Sequence, residues 1–277
     1  MAGERLLFTE EEWNVAAPEV GRQMHDHVFP YTTVISKHLG DHGEAVGTGA
    51  FLKLGERIFI LTNEHVARVR TTTQDLVYQM ANNDEPNFVR GNHASYELPF
   101  DMALLPVDEA VWSKSNHGSK AITPDMIAIA HAPVPTELFT FAGYSEQRGG
   151  FYFGTLVSLG TSSTSREVLL PPEDTRFNSR FHFGLDYRPN LAENVVGTAP
   201  LPRPPGFSGS IVWNTRFMES RMAGQPWTPE LAQVTGLVWG WPSNVGCIVA
   251  TRSEYLRSFI LGATDHLVAS LAGAKAS

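Results

Sequence analysis

Cysteine is almost missing from this chain: Cys247 is the only one in 277 residues. An internal disulfide and a multi-cysteine metal site are both excluded, which fits a protein of a reducing compartment. Long apolar runs are missing too, and none approaches the ~18 residues of a membrane-spanning helix. The first residues, MAGERLLFTEEEW, show no basic segment leading into an apolar one, so no secretory leader is expected. There is no basic run, and the net charge is −8, which makes nucleic acid and anionic membrane poor partners. The expectation is a soluble, cytoplasmic protein that needs no cofactor.

What is present is ordinary globular material, 42% hydrophobic and 18% charged, long enough for one large all-β domain or two small ones. Thr9 and Glu12 have capping-box spacing, so a short helix is expected from Glu10, limited by Pro18 and Gly21. Residues 1–28 read as an extension laid over the main domain. His25, His27, His38 and His42 lie close together, but their spacing matches no zinc pattern, and they read as loop residues.

From Tyr31 the texture is all-β. TTVISKHL, AVGTGAFLKL and RIFILTNEHV are short runs of β-branched and aromatic residues, separated at Gly40, Gly43 and Gly55. Thr71 to Glu97 is polar, with one or two strands expected. A linker, 111–135, divides a first β unit, 29–110, from a second, 136–252. The second holds ELFTFAGYS, FYFGTLVSLG, EVLLPP, RFHFGLDY, VTGLVWGW and GCIVAT. At the end, 253–277, Leu256, Ile260, Ala263, Leu267 and Leu271 recur at helical spacing, predicting an amphipathic helix packed on its own domain.

Three segments carry candidate chemistry. In PRPPGFSGSIVW, Ser208 lies between Gly206 and Gly209, just ahead of an apolar strand. A serine hydroxyl becomes a nucleophile only with a base beside it and N–H donors aimed at the developing oxyanion. His65 sits just past a strand, and Asp101 stands at the head of the apolar strand Met102 to Val107. A carboxylate in that position is costly without a donor such as an imidazole. Taken singly, each has a plain structural explanation: a glycine–serine turn, a loop histidine, a turn aspartate.

Together, in the order His65, Asp101, Ser208, they resemble the trypsin-like (chymotrypsin-fold) serine peptidases. GTGAFL followed by LTNEHV is similar to the strand, turn and histidine of that family, especially its bacterial and HtrA-like members. DMALLPV resembles its Asp-x-Ala-Leu-Leu strand. GFSGS resembles its Gly-x-Ser-Gly-Gly loop, with Ser210 in place of the last glycine. TGLVWGWPS looks like the strand beside the primary substrate pocket. The likeness spans about Tyr31 to Ile260. It departs from the family in lacking disulfides and an activation-type N-terminus, and from full HtrA proteases in leaving no room for a PDZ domain.

The resemblance implies an all-β fold of two six-stranded antiparallel β-barrels, with a short N-terminal helical extension and a C-terminal helix. It implies a serine endopeptidase in which Ser208 attacks, His65 transfers the proton and Asp101 holds the imidazole, with the amides of Gly206 and Ser208 as oxyanion hole. The alternative is the same fold used, catalytically silent, as a protein-binding module. A minor third reading is an esterase-like hydrolase. Pro202, six residues before the nucleophile, would lie at the pocket base, with Trp239, Gly240 and Trp241 as a wall. A small or medium apolar residue before the cleaved bond is then expected, with Arg203 as the rival element selecting an acidic one. Phe207 replaces the aspartate that pairs with a new N-terminus in secreted enzymes. The expectation is therefore a loop ordered without cleavage, by packing of Phe207 and by a substrate or regulatory protein partner.

Overall fold

The computed structural model describes residues 9–114, 116–152, 155–172, 174–188, 201–242 and 246–274, with backbone alone for 147–152, 155–159 and 264–274. In chain order the elements are α1 (Glu10–Val28), β1 (Thr32–His38), β2 (His42–Leu54), β3 (Arg57–Thr62), α2 (Glu64–Ala67), β4 (Leu76–Gln79), β5 (Pro86–Phe88), β6 (Ala94–Tyr96) and β7 (Met102–Pro106). There follow α3 (Glu109–Trp112), β8 (Phe139–Tyr152), β9 (Thr155–Ser165), β10 (Glu167–Val168), β11 (His182–Asp186), β12 (Ile211–Asn214), α4 (Phe217–Met222), β13 (Gln233–Gly240), β14 (Cys247–Arg252) and α5 (Ser253–Ala274).

Every strand pairing among the described residues is antiparallel. In the first lobe β1 pairs with β2 and β4, β2 with β3, β3 with β7, β7 with β6, and β4 with β5. The second lobe runs β9-β8-β12-β13-β14-β11-β10. The lobes join where β2 meets β8, His42 opposite Tyr152 and Glu44 opposite Gly150. This is the expected two-barrel, all-β architecture with a helix at each end, and the described residues place seven strands in each lobe.

Alternation along the strands feeds three large cores and a small one of Val34, Ala45 and Val77, because successive side chains point to opposite faces. Phe51, Ile60, Leu105 and Tyr78 fill the first lobe. Phe139, Phe141, Phe183, Leu185 and Val238 fill the second. The other faces of the same strands, with Leu52, Leu61, Leu104, Trp213 and Leu237, meet in a third core between the lobes. α5 supplies Leu256, Phe259, Ile260 and Ala263 to it, as the helical spacing predicts. The side chains of Leu267 and Leu271 lie outside the described residues.

Several local expectations need correction. The capping box is present: Glu12 N–H donates to Thr9 Oγ1 (3.1 Å) and Thr9 N–H to Glu12 Oε2 (3.0 Å). The helix it starts does not stop at Pro18 or Gly21 but runs 19 residues to Val28. Nor is it merely laid over the domain, for Val20, Met24 and Val28 lie in the central core at 0–1% exposure. An interior proline costs about 3 kcal/mol, whereas burying three such side chains contributes about 1.5–3 kcal/mol each. Pro18 and Asn14 both face solvent, so the carbonyl freed by the missing N–H can be hydrated.

His25 and His27 are thus helical rather than loop residues, and His25 Nδ1 pairs with Ser162 Oγ at 2.8 Å. The stretch Thr71 to Glu97 carries three short strands, not one or two. FYFGTLVSLG is two arms of the β8–β9 hairpin, whose tip lies outside the described residues. In the linker, Ile122 and Ile127 are buried and bridge to Leu52 and Val234, making it a packed strap.

Candidate active site

β3 ends at Thr62, and Asn63 turns the chain into α2. The Asn63 amide donates through Nδ2 to Asp101 O (2.7 Å), tying the start of α2 to the head of β7. That tie brings His65 and Asp101 together. Asp101 Oδ2 lies 2.6 Å from His65 Nδ1, and Oδ1 accepts from the His65 backbone N–H at 3.0 Å. The Asp101 side chain is 4% exposed and that of His65 34%, so the pair is buried at the carboxylate and open at the imidazole. A carboxylate only accepts, so the Nδ1 position carries the proton and Nε2 is left as the base. Asp101 sits at φ +50°, the left-handed region that is uncommon for residues other than glycine.

Ser208 lies on the loop before β12. Gly206 has φ +99° and Gly209 φ +89°. A Cβ on Gly206 would lie 2.4 Å from Tyr144 O, and one on Gly209 would lie 1.9 Å from Thr48 O, so neither position admits a side chain. Between them the Phe207 N–H donates to Pro204 O (2.9 Å), the Gly209 N–H to Val238 O (2.9 Å) and the Ser210 N–H to Phe207 O (2.9 Å). Among the described residues the N–H groups of Gly206 and Ser208 donate to no protein acceptor. Gly206 and Ser208 are the two residues whose amides the sequence reading names for an oxyanion hole.

The loop is seated against the first lobe. Ser208 O accepts from Thr48 N–H (2.7 Å), and a Cβ on Gly47 would touch both Ser208 O and the side chain of Val66, the neighbour of His65. The structure thus packs the loop of Ser208 beside the element that carries His65. Among the described residues, Ser208 Oγ makes no hydrogen bond to His65.

The residues expected at the pocket are placed as follows. Pro202 is buried, and its carbonyl accepts from Tyr187 Oη (2.8 Å). The Arg203 side chain is exposed, while its carbonyl accepts from Ser145 Oγ (3.2 Å). Trp239, Gly240 and Trp241 are half-buried at the end of β13, and Trp239 packs on Phe177 and His182 (ring centroids 5.3 and 5.1 Å). Phe207 is 1% exposed and meets Phe141 and Tyr187 edge-on at 5.6 and 5.8 Å, so it packs under the loop.

Sequence reasoning missed Asn63, Thr48 and His182. The buried His182 accepts from Asn178 N–H at Nδ1 (3.1 Å) and donates from Nε2 to Pro99 O (2.8 Å), linking β11 to the loop that carries Asp101. Burial, with Arg252 nearby, holds its pKa below the ordinary value. A lone polar ring in the apolar run RFHFGLDY was the available signal.

No protein-family model matches the chain, and no curated protein matches it in sequence. Solved structures do. The scabies mite inactivated protease paralogue S-I1 aligns at TM-score 0.52 and 17% identity, covering 88% of this chain and 97% of that one. A protein described as GrC aligns at TM-score 0.52 and 14% identity, covering 87% and 96%. The serine protease domain of the Sesbania mosaic virus polyprotein gives TM-score 0.45 and 16% identity, over 83% and 91%. The fold is the chymotrypsin-like two-barrel arrangement.

Proposed function

We propose that this chain is a serine endopeptidase working through Ser208, His65 and Asp101. The observation that carries the reading is the buried Asp101 carboxylate gripping both His65 Nδ1 and its backbone N–H, beside a loop whose unused amides flank Ser208. Ser208 Oγ attacks the carbonyl carbon of the peptide while His65 Nε2 takes its proton. Asp101 keeps the imidazole in the right tautomer and stabilises its cation. The Gly206 and Ser208 N–H groups bind the oxyanion, and its collapse breaks the C–N bond as His65 protonates the leaving amine. Water then repeats the sequence on the acyl-enzyme. The GTGAFL and LTNEHV segments favour an HtrA-like catalytic unit, and the scarcity of cysteine favours work in the cytoplasm, on protein substrates.

A second reading is a silent member of the fold that binds proteins. It is favoured by the missing Ser208–His65 hydrogen bond, and one structural neighbour is described as inactivated. Such bonds are often long in free enzymes and close with substrate, so the missing bond leaves the first reading standing.

Peptide-library profiling of wild type against Ser208→Ala tests activity and preference together. Cleavage should fall by about 10⁴ or more in the variant. With Pro202 uncharged and Trp239 and Trp241 bulky, cleavage after small or medium apolar residues is expected. Selection of an acidic residue would assign the pocket to Arg203. Equal cleavage by both proteins would overturn the function, and strong cleavage after Lys or Arg would overturn the pocket.

A further inference from the structure

Thr48, fully buried on β2, stands where both lobes and the nucleophile loop meet. Its hydroxyl donates to Gly206 O (2.8 Å) and accepts from Tyr144 N–H (2.9 Å) on β8. Its backbone N–H donates to Ser208 O, and its carbonyl accepts from Thr62 Oγ1 (2.7 Å). The consequence follows from the planarity of the peptide unit, whose C=O and N–H point in opposite directions, so that holding one aims the other.

Four consecutive peptide planes around Ser208 are held in this way. Pro205 O accepts from Glu146 N–H (3.0 Å), which aims the Gly206 N–H. Gly206 O accepts from Thr48 Oγ1, which turns the Phe207 N–H inward to Pro204 O. Phe207 O accepts from Ser210 N–H, which aims the Ser208 N–H, and Ser208 O accepts from Thr48 N–H. Three of the four carbonyls are held by backbone donors. The Gly206 carbonyl alone depends on a side chain, and it belongs to the residue with φ +99°, whose missing Cβ lets the adjoining planes turn most freely.

Resting on the hydrolase reading above, we propose that Thr48 is a positioning residue of the oxyanion hole. Its hydroxyl locks the central peptide of the loop so that the Gly206 and Ser208 amides stand ready as donors without a cleavage event. The first lobe thereby supplies to the second what an ion pair with a freed N-terminus would otherwise supply, and Phe207 takes the place of the paired carboxylate.

The test uses Thr48→Val, which keeps shape and removes the hydroxyl, and Thr48→Ser, which restores it. In Thr48→Val, kcat on a peptide substrate should fall about 10- to 100-fold, less than the ~10²–10³-fold lost when an oxyanion donor is removed outright. KM should stay within about twofold, and Thr48→Ser should return kcat to within a few-fold of wild type. An unchanged kcat in Thr48→Val, a change in KM alone, or failure of Thr48→Ser to restore kcat would each overturn the proposal. Should Thr48→Val not fold, Thr48→Cys, with a weaker donor, should lower kcat about tenfold, and an unaltered kcat there would count against it. If wild type itself cleaves nothing, the hydrolase reading fails, and amide NMR still decides on Thr48. Its removal should shift the Gly206 and Ser208 amide resonances and speed exchange of the Tyr144 amide about tenfold or more. Unmoved resonances would refute the positioning role.

Discussion

At the scale of single residues, the site depends on buried polar groups that each find protein partners. Asp101 has its imidazole, Thr48 its carbonyl and amide, and His182 its two backbone partners. His182 makes this testable by pH. Its Nδ1 accepts a hydrogen bond from Asn178 N–H, which requires the neutral ring, and burial lowers its pKa below the ordinary 6.5. The unfolded chain therefore binds more protons than the folded one as pH falls past that value. Stability from this group is complete above about pH 6.5 and is lost as pH drops toward the folded pKa. His25, His27 and His93 are lowered by burial in the same sense. Thermal unfolding should thus move to lower temperature between about pH 7 and pH 5, and less steeply in His182→Gln, which keeps a donor near Pro99 O. Identical pH slopes for the two proteins would contradict this account of His182.

Among the elements, strands were the most readable, because alternation along β2, β3 and β7 is the direct imprint of two cores on opposite faces. The candidates His65, Asp101 and Ser208 stood out for the same reason: each lies just before or just after a strand that announces itself. Thr48 was not, since its hydroxyl finds Gly206 O 158 residues away, and no local pattern encodes that meeting. The β8–β9 hairpin blurred into one run for want of a strong turn signal. α1 was cut short by trusting Pro18 and Gly21 over the apolar row Ala17, Val20, Met24 and Val28, all buried. Met24→Ala measures what that row contributes. It should lower stability by about 2–5 kcal/mol, as for other buried methionines, with turnover per folded molecule unchanged. A loss below about 0.5 kcal/mol, as at a surface position, would return α1 to the status of an added layer. Removing residues 1–30 should expose the central core and lower stability, because α1 supplies Val20, Met24 and Val28 to it.

For the whole molecule, the three large cores divide the labour. Two shape the barrels, and the one between them fixes how the barrels face each other, and hence how His65 and Asp101 meet the loop of Ser208. Bonds crossing between lobes cluster at this junction: Thr48 to Gly206 and Ser208, His182 to Pro99, and Thr251 Oγ1 to Phe100 O (3.1 Å). Under the proposed function the site stands assembled in the resting chain, with Phe207 buried beneath the loop of Ser208. Fluorophosphonate labelling of the full chain, with the adduct mapped by mass spectrometry, puts this to the most direct test, because only an activated serine beside working oxyanion donors reacts quickly. The account predicts one rapid adduct, on Ser208, without prior proteolysis, slowed by about 10³-fold or more in His65→Ala. An inert wild-type chain, or labelling of Ser208 at the same rate without His65, would contradict it.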